Sequence, residues 1–255
     1  MKYFLTFTFI ISAIVIKSQS KSELSELQVR YNFTFIKDTL DKNNSVTEPM
    51  ILLTNGKKSV YYSEYYKTNI DAINKQLEAP VNKGDIRTIS FNGLPQAKVK
   101  HSVYKDQNDI LISVFMRDLY TFKSSDILSW KISKKENKSI LGYKCSKAMV
   151  TVDNKNYIAW FTYDIPINDG PYKFRGLPGL ILQISEEHGY FNFEAISINK
   201  VKQAMDFKKG ILITKDQYIK KRNEYISDPS QGKENSESYR RYVEENKKKS
   251  NIFLE

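Results

Sequence analysis

The stretch Lys173-Phe174-Arg175-Gly176-Leu177-Pro178-Gly179-Leu180-Ile181-Leu182-Gln183-Ile184 marks where an irregular loop becomes a strand. Gly176 and Gly179 bracket Leu177-Pro178. Proline fixes φ and has no N–H, so Pro178 cannot sit inside a central ladder. Glycine allows backbone angles and close approaches that a side chain forbids. The stretch therefore reads as a sharp bend or bulge leading into a strand. From Leu180 to Ile184 the chain is strongly apolar, which suits a strand buried on much of both faces. Upstream, Asp169-Gly170-Pro171 is a turn signal and Pro166 a second breaker. Two roles fit this bend: a backbone device for curving a sheet, or the rigid rim of a ligand site.

Outward from the bend, the rest of the chain reads as hairpins. Leu24 to Asp38 is a first strand, with Val29, Tyr31, Phe33 and Phe35 alternating with Arg30, Asn32 and Thr34. Met50–Thr54 and Ser59–Tyr62 flank Asn55-Gly56-Lys57-Lys58, and Asn-Gly favours positive φ at both central positions, a strong hairpin signal. Ser63 to Ala79 changes to helical spacing, with Ser63 as N-cap and Tyr66, Ile70, Ile73 and Leu77 on one face. Gln96–Tyr104 and Asp109–Met116 form the next strand pair. Ile127–Ile132, carrying Trp130, is a strand followed by the polar stretch Ser133–Ser139. Tyr143–Val152 and Tyr157–Tyr163 make a hairpin around Asp153–Asn156, and Leu180–Ile184 turns through Gly189 into Tyr190–Ile198. Beyond Val201 the pattern is helical: Thr214 caps a segment to Ile226, and Ser236–Lys249 is a charged helix. The expected fold is mainly β: a strongly curved antiparallel meander of about ten strands, half-barrel or barrel, with one amphipathic helix packed on it and C-terminal helices. The expected organisation is residues 1–20 as a leader, 21–201 as a β domain containing the helix 63–79, and 202–255 as a basic helical segment.

Composition narrows the class. The first residues, a basic start, an apolar run from Tyr3 to Ile16 and small residues after it, read as a secretory signal peptide cleaved after Ser20 or Ser18. That places the expected product in the periplasm, at the outer membrane or outside the cell, without a transmembrane span. There are 17 tyrosines, 14 phenylalanines and one cysteine, Cys145. The aromatics favour sheet, and a lone thiol excludes an internal disulfide. The formal charge is +11, with fourteen Lys and Arg against eight Asp and Glu between Lys200 and Lys249. No nucleic-acid-binding motif accompanies that charge, so nucleic acid is not the expected partner. An envelope or outer-membrane protein, or a lipid-like ligand, is.

A resemblance to a known family rests on particular residues. Gly176-Leu177-Pro178-Gly179-Leu180-Ile181, preceded in order by Gly142-Tyr143-Lys144-Cys145-Ser146-Lys147-Ala148, Ala159-Trp160-Phe161-Thr162, Asp164-Ile165-Pro166-Ile167 and Gly170-Pro171-Tyr172-Lys173-Phe174, resembles the GLPGLI family of secreted Bacteroidota proteins. That resemblance implies an exported envelope protein, accessory to outer-membrane transport, of unknown activity.

A catalytic constellation is hard to assemble. His101 and His188 lie far apart in sequence without a metal-binding neighbour pattern, and there is no nucleophile elbow or phosphate loop. No metal or cofactor is expected. The better candidates for binding a ligand are loop aromatics and polar groups held by the scaffold: Trp160, Tyr163, Asp164, Asp169, Tyr172, Phe174 and Arg175, with Gly176, Pro178 and Gly179 shaping the rim. The leading expectation is a non-enzymatic binding or accessory protein. The alternative is a secreted hydrolase or peptidase using Asp164 and Asp169, or Cys145.

Overall fold

A computed structural model describes residues 23–36, 41, 43–81, 86–228, 230, 232–234 and 236–248. The expected leader, 1–20, and the last residues of the expected C-terminal segment lie outside the described residues. The elements in chain order are β1 (Leu27–Ile36), β2 (Ser45–Thr54), β3 (Ser59–Ser63), α1 (Glu64–Glu78), β4 (His101–Lys105), β5 (Ile110–Met116), β6 (Asp118–Lys123), β7 (Lys131–Ile140), β8 (Tyr143–Val152), β9 (Lys155–Thr162), β10 (Leu180–Glu186), β11 (Phe191–Lys200), β12 (Ile211–Leu212), α2 (Lys215–Ser227) and α3 (Glu237–Lys248).

All twelve strands form one sheet, ordered β12-β6-β5-β4-β3-β2-β1-β11-β10-β9-β8-β7. The protein is mainly β, as expected, but the sheet is open rather than a closed barrel. It is also mixed, because β12 runs parallel to β6. β1 sits at its centre, flanked by β2 and β11. Two arms extend from it, built mostly of antiparallel hairpins; α1 and the segment after it link β3 to β4, and a long loop links β9 to β10. The arms curl toward each other. One continuous core holds Val103, Ile112 and Phe122 from one arm with Ala148, Tyr157 and Phe161 from the other. The alternation read from β1 is the reason: Val29, Tyr31, Phe33 and Phe35 are all fully buried on the inner face. Phe33 stacks on Phe193 with ring centroids 4.3 Å apart. A smaller cluster on the outer face gathers Ile51, Leu53 and Val60 under Met205, so the chain after β11 straps back across the sheet.

Three local expectations need correction. The strand expected at Ile127–Ile132 is displaced: 124–130 is an irregular crossing segment, and the strand is the polar Lys131–Ile140. As the last strand of the sheet it has no buried face, so it carries no apolar alternation to be read. β6 was not expected at all; it is one short strand with both flanks polar. The hairpin across Asn55-Gly56-Lys57-Lys58 forms as read, but without positive φ at both Asn55 and Gly56. Only Gly56 has positive φ, and the Asn55 carbonyl oxygen of the side chain accepts from the Lys57 and Lys58 N–H groups at 3.1 and 2.9 Å. Two left-handed residues in a row occur instead at Asp153-Asn154, φ 47° and 60°, in the tight turn joining β8 to β9.

α1 starts as read: the Ser63 hydroxyl accepts from the Tyr66 N–H at 3.0 Å. It packs along β2 and β3 without burying a single residue fully. Thr214 caps α2 in a capping box with Gln217, and Tyr218 of α2 stacks on Phe122 at 4.3 Å. No described helix is long and apolar enough to cross a membrane.

Candidate functional site

The loop between β9 and β10 is built into the interior. Asp169, Gly170, Pro171, Tyr172, Lys173, Phe174 and Leu177 are buried within the curl. Tyr172 meets His101 edge-on at 5.1 Å, and Phe174 lies 4.9 Å from Tyr157. The loop is thus a plug between the arms, and its polar groups need partners there. The Lys105 ammonium, from β4, sits 2.5 Å from Asp169 Oδ1 and donates to the Gly170 carbonyl at 2.5 Å. Burial pushes the Lys105 pKa down, and the facing Asp169 carboxylate works against that fall. Lys173 pairs with Asp126 in the crossing segment. Lys215 of α2 reaches both Asp126 and Asp153, each at 3.2 Å. Burial alone would raise the Asp126 carboxyl; Lys173 and Lys215 outweigh it and hold it below the ordinary carboxylate range. This network joins one arm, the opposite hairpin turn, α2 and the plug.

The bend works as a backbone device. A Cβ on Gly179 would stand 2.0 Å from the Thr162 carbonyl oxygen, so only glycine lets β10 approach the end of β9. Gly176 has φ +103°, and a Cβ there would meet the Trp130 ring nitrogen at 3.2 Å. Trp130 instead donates from Nε1 to the Arg175 carbonyl at 2.7 Å. The strand bulge falls just beyond, between Ile181 and Gln183.

At the mouth of the plug lies a cleft of about 380 Å³ lined by Asn108, Ile110, Lys123, Ser124, Ser125, Asp126, Leu128, Arg175 and Gly176. Two aliphatic side chains, Ile110 and Leu128, share this lining with an amide, hydroxyls and charges, so most of the lining residues are polar. Arg175 is held at two points, by Trp130 at its carbonyl and by the Asp106 carbonyl at Nη1.

The structure divides the residues singled out above. Arg175 and Gly176 line the cleft. Asp169, Tyr172, Phe174 and Gly179 are interior, while Tyr163, Asp164 and Pro178 are exposed. Trp160 is half-buried on β9, with the Lys138 ammonium 4.6 Å above its ring. Asn108, Lys123, Ser125 and Asp126 were not singled out. They sit in a polar turn, at the end of β6 and in the crossing segment, and only the topology brings these to Arg175. For hydrolysis the arrangement offers little. Asp169 is committed to Lys105 in the interior while Asp164 faces solvent. The Cys145 thiol is buried, and burial pushes its pKa up to about 11, far from a reactive thiolate. Among the described residues no cluster of His, Cys, Asp or Glu could hold a metal ion.

An open, curled sheet with a plug between its arms and a cleft beside it defines the fold class. Residues 33–220 match the family described as N-glycanase peptide, N-terminal domain, and the chain belongs to that family. Two solved structures of PNGF-II, in P21 and C2 crystal forms, share the fold. Each is 19% identical and covers 77% of this chain, with TM-scores of 0.53 and 0.51. The chain spans 32% of the length of those PNGF-II chains. No curated protein sequence matches. The resemblance to the GLPGLI family, with its secreted proteins of unknown function, is therefore corrected. The matching family is that of the N-glycanase N-terminal domain, and the structural neighbours agree with it.

Proposed function

We propose that this chain is a non-catalytic carbohydrate-recognition domain of the N-glycanase type, which holds the glycan of a glycoprotein in the cleft at Arg175 and Gly176. The observation that carries the reading is the lining of the cleft, in which the aliphatic side chains of Ile110 and Leu128 stand with Asn108, Ser125 and Arg175. Sugars present apolar ring faces ringed by hydroxyls, and amide, hydroxyl and guanidinium groups satisfy those hydroxyls. Membership of a family described as an N-terminal domain of an N-glycanase supports the choice of ligand. The interior supports a binding role over hydrolysis, because the polar groups of the plug are already paired with one another.

Isothermal titration of the full chain with a neutral high-mannose N-glycopeptide tests this. Binding to the glycopeptide, with none to the same peptide stripped of its glycan, is expected. Equal binding to both, or to neither, overturns the proposal.

A further inference from the structure

We infer that the cleft selects acidic glycans, with the Arg175 guanidinium receiving the carboxylate of a sugar such as a sialic acid. This rests on the carbohydrate reading above and narrows it. Charge in the cleft is almost wholly matched. Lys123 pairs with Asp109, and Asp126 is neutralised by Lys173 and Lys215. Arg175 is the exception. Its Nη1 donates to a neutral main-chain carbonyl, that of Asp106, and its Nε and Nη2 make no hydrogen bond among the described residues. Asp126 lines the same cleft but is held by two lysines, and no carboxylate among the described residues is ion-paired with Arg175. A partly buried guanidinium with donors unspent is complementary to an anion, and its planar fork matches a carboxylate in two parallel hydrogen bonds. Its position is also set in advance. Trp130 holds its carbonyl and the Asp106 carbonyl holds one end of its fork, so little side-chain freedom remains to be lost on binding. Asn108 and Ser125, in the same lining, supply donors and acceptors for the hydroxyl and acetamido groups that flank such a carboxylate.

The test uses the full chain, a disialylated complex-type N-glycopeptide and its desialylated form. The sialylated peptide should bind about tenfold tighter or more at low salt, as a charge-assisted hydrogen bond gives, and added salt should narrow the gap. Arg175→Gln should bring the sialylated affinity down to that of the desialylated peptide. Because R175Q also releases the Asp106 carbonyl, a second measurement leaves the protein unaltered. Free N-acetylneuraminic acid should displace the sialylated peptide, and its uncharged methyl ester should not. Equal affinity for both peptides overturns the inference and leaves carbohydrate recognition standing. Binding of neither peptide overturns both.

Discussion

Replacing Lys105 by methionine removes the cation that neutralises the plug. In the folded protein the Lys105 and Asp169 side chains are 2% and 8% exposed and 2.5 Å apart. Methionine has similar length and no charge, so packing is largely kept. Asp169 is then left in the interior with the Gly170 N–H, at 2.8 Å, as its remaining donor among the described residues, and the Gly170 carbonyl loses the ammonium. Breaking a buried pair by removing one partner costs about 3–5 kcal/mol. Domains of this size are stable by about 5–15 kcal/mol, so the loss should be plain in urea unfolding, as a lower midpoint at unchanged slope. Lys105→Met with Asp169→Leu should be less damaging than the two single losses summed, by about 2 kcal/mol, because the pair then disappears together. A second signature is pH. Burial lowers the Lys105 pKa in the folded state, so at alkaline pH the unfolded chain holds that proton more firmly. Wild-type stability therefore gains as pH rises from the lowered value toward the ordinary one near 10.5, and the variant loses that gain. A loss below about 1 kcal/mol, the range of an exposed pair, with no change in the alkaline slope, would refute the reasoning.

Other positions give independent checks. Gly179→Ala sets a Cβ 2.0 Å from the Thr162 carbonyl and should cost more than about 3 kcal/mol, whereas Gly142→Ala, open but at φ +82°, should cost only about 1 kcal/mol; thermal melts of the two would contradict this by coming out alike. Glu48 is buried, accepts from Ser63 and from the Lys98 and Val99 N–H groups, and has its pKa raised by burial. The folded state thus binds the Glu48 proton more tightly, and stability falls as pH rises from about 4.5 through the raised value. Glu48→Gln should abolish that fall in a pH series of urea midpoints, and an unaltered profile would count against it. Cys145, with its thiol pushed up to about 11, should react with a disulfide reagent near neutral pH only as fast as the protein unfolds; immediate stoichiometric labelling of the native protein would show the burial to be wrong. Thr214→Ala removes the capping box of α2 and should cost about 1 kcal/mol by chemical unfolding.

The parts of this fold legible in the chain are those where one face is buried. β1, β8 and β9 announce themselves because Val29, Tyr31 and Phe33, or Tyr157, Ala159 and Phe161, must alternate to line the core. β7 could not be read that way: an edge strand of Lys131, Lys134, Lys135 and Lys138 buries nothing, and lysine guards an edge rather than marking it. The bend at Gly176 and Gly179 was legible as a bend because a missing side chain is a local property. That its loop turns inward was not legible. Asp169 and Lys173 look like surface residues until Lys105 and Asp126, far away in sequence, arrive to pair with them. The cleft shares that difficulty. Arg175 stood out beside the glycines, while Asn108 belongs to an unremarkable polar turn and Ser125 and Asp126 to the crossing segment, gathered only by the curl of the sheet.

Amide chemical-shift mapping of the full chain during titration with an N-glycopeptide tests carbohydrate recognition at this cleft most directly. The account predicts saturable shifts centred on Asn108, Ser125, Arg175 and Gly176, with the outer face around Trp160 and Lys138 unmoved. Shifts centred on that outer face, or none at all, would contradict it.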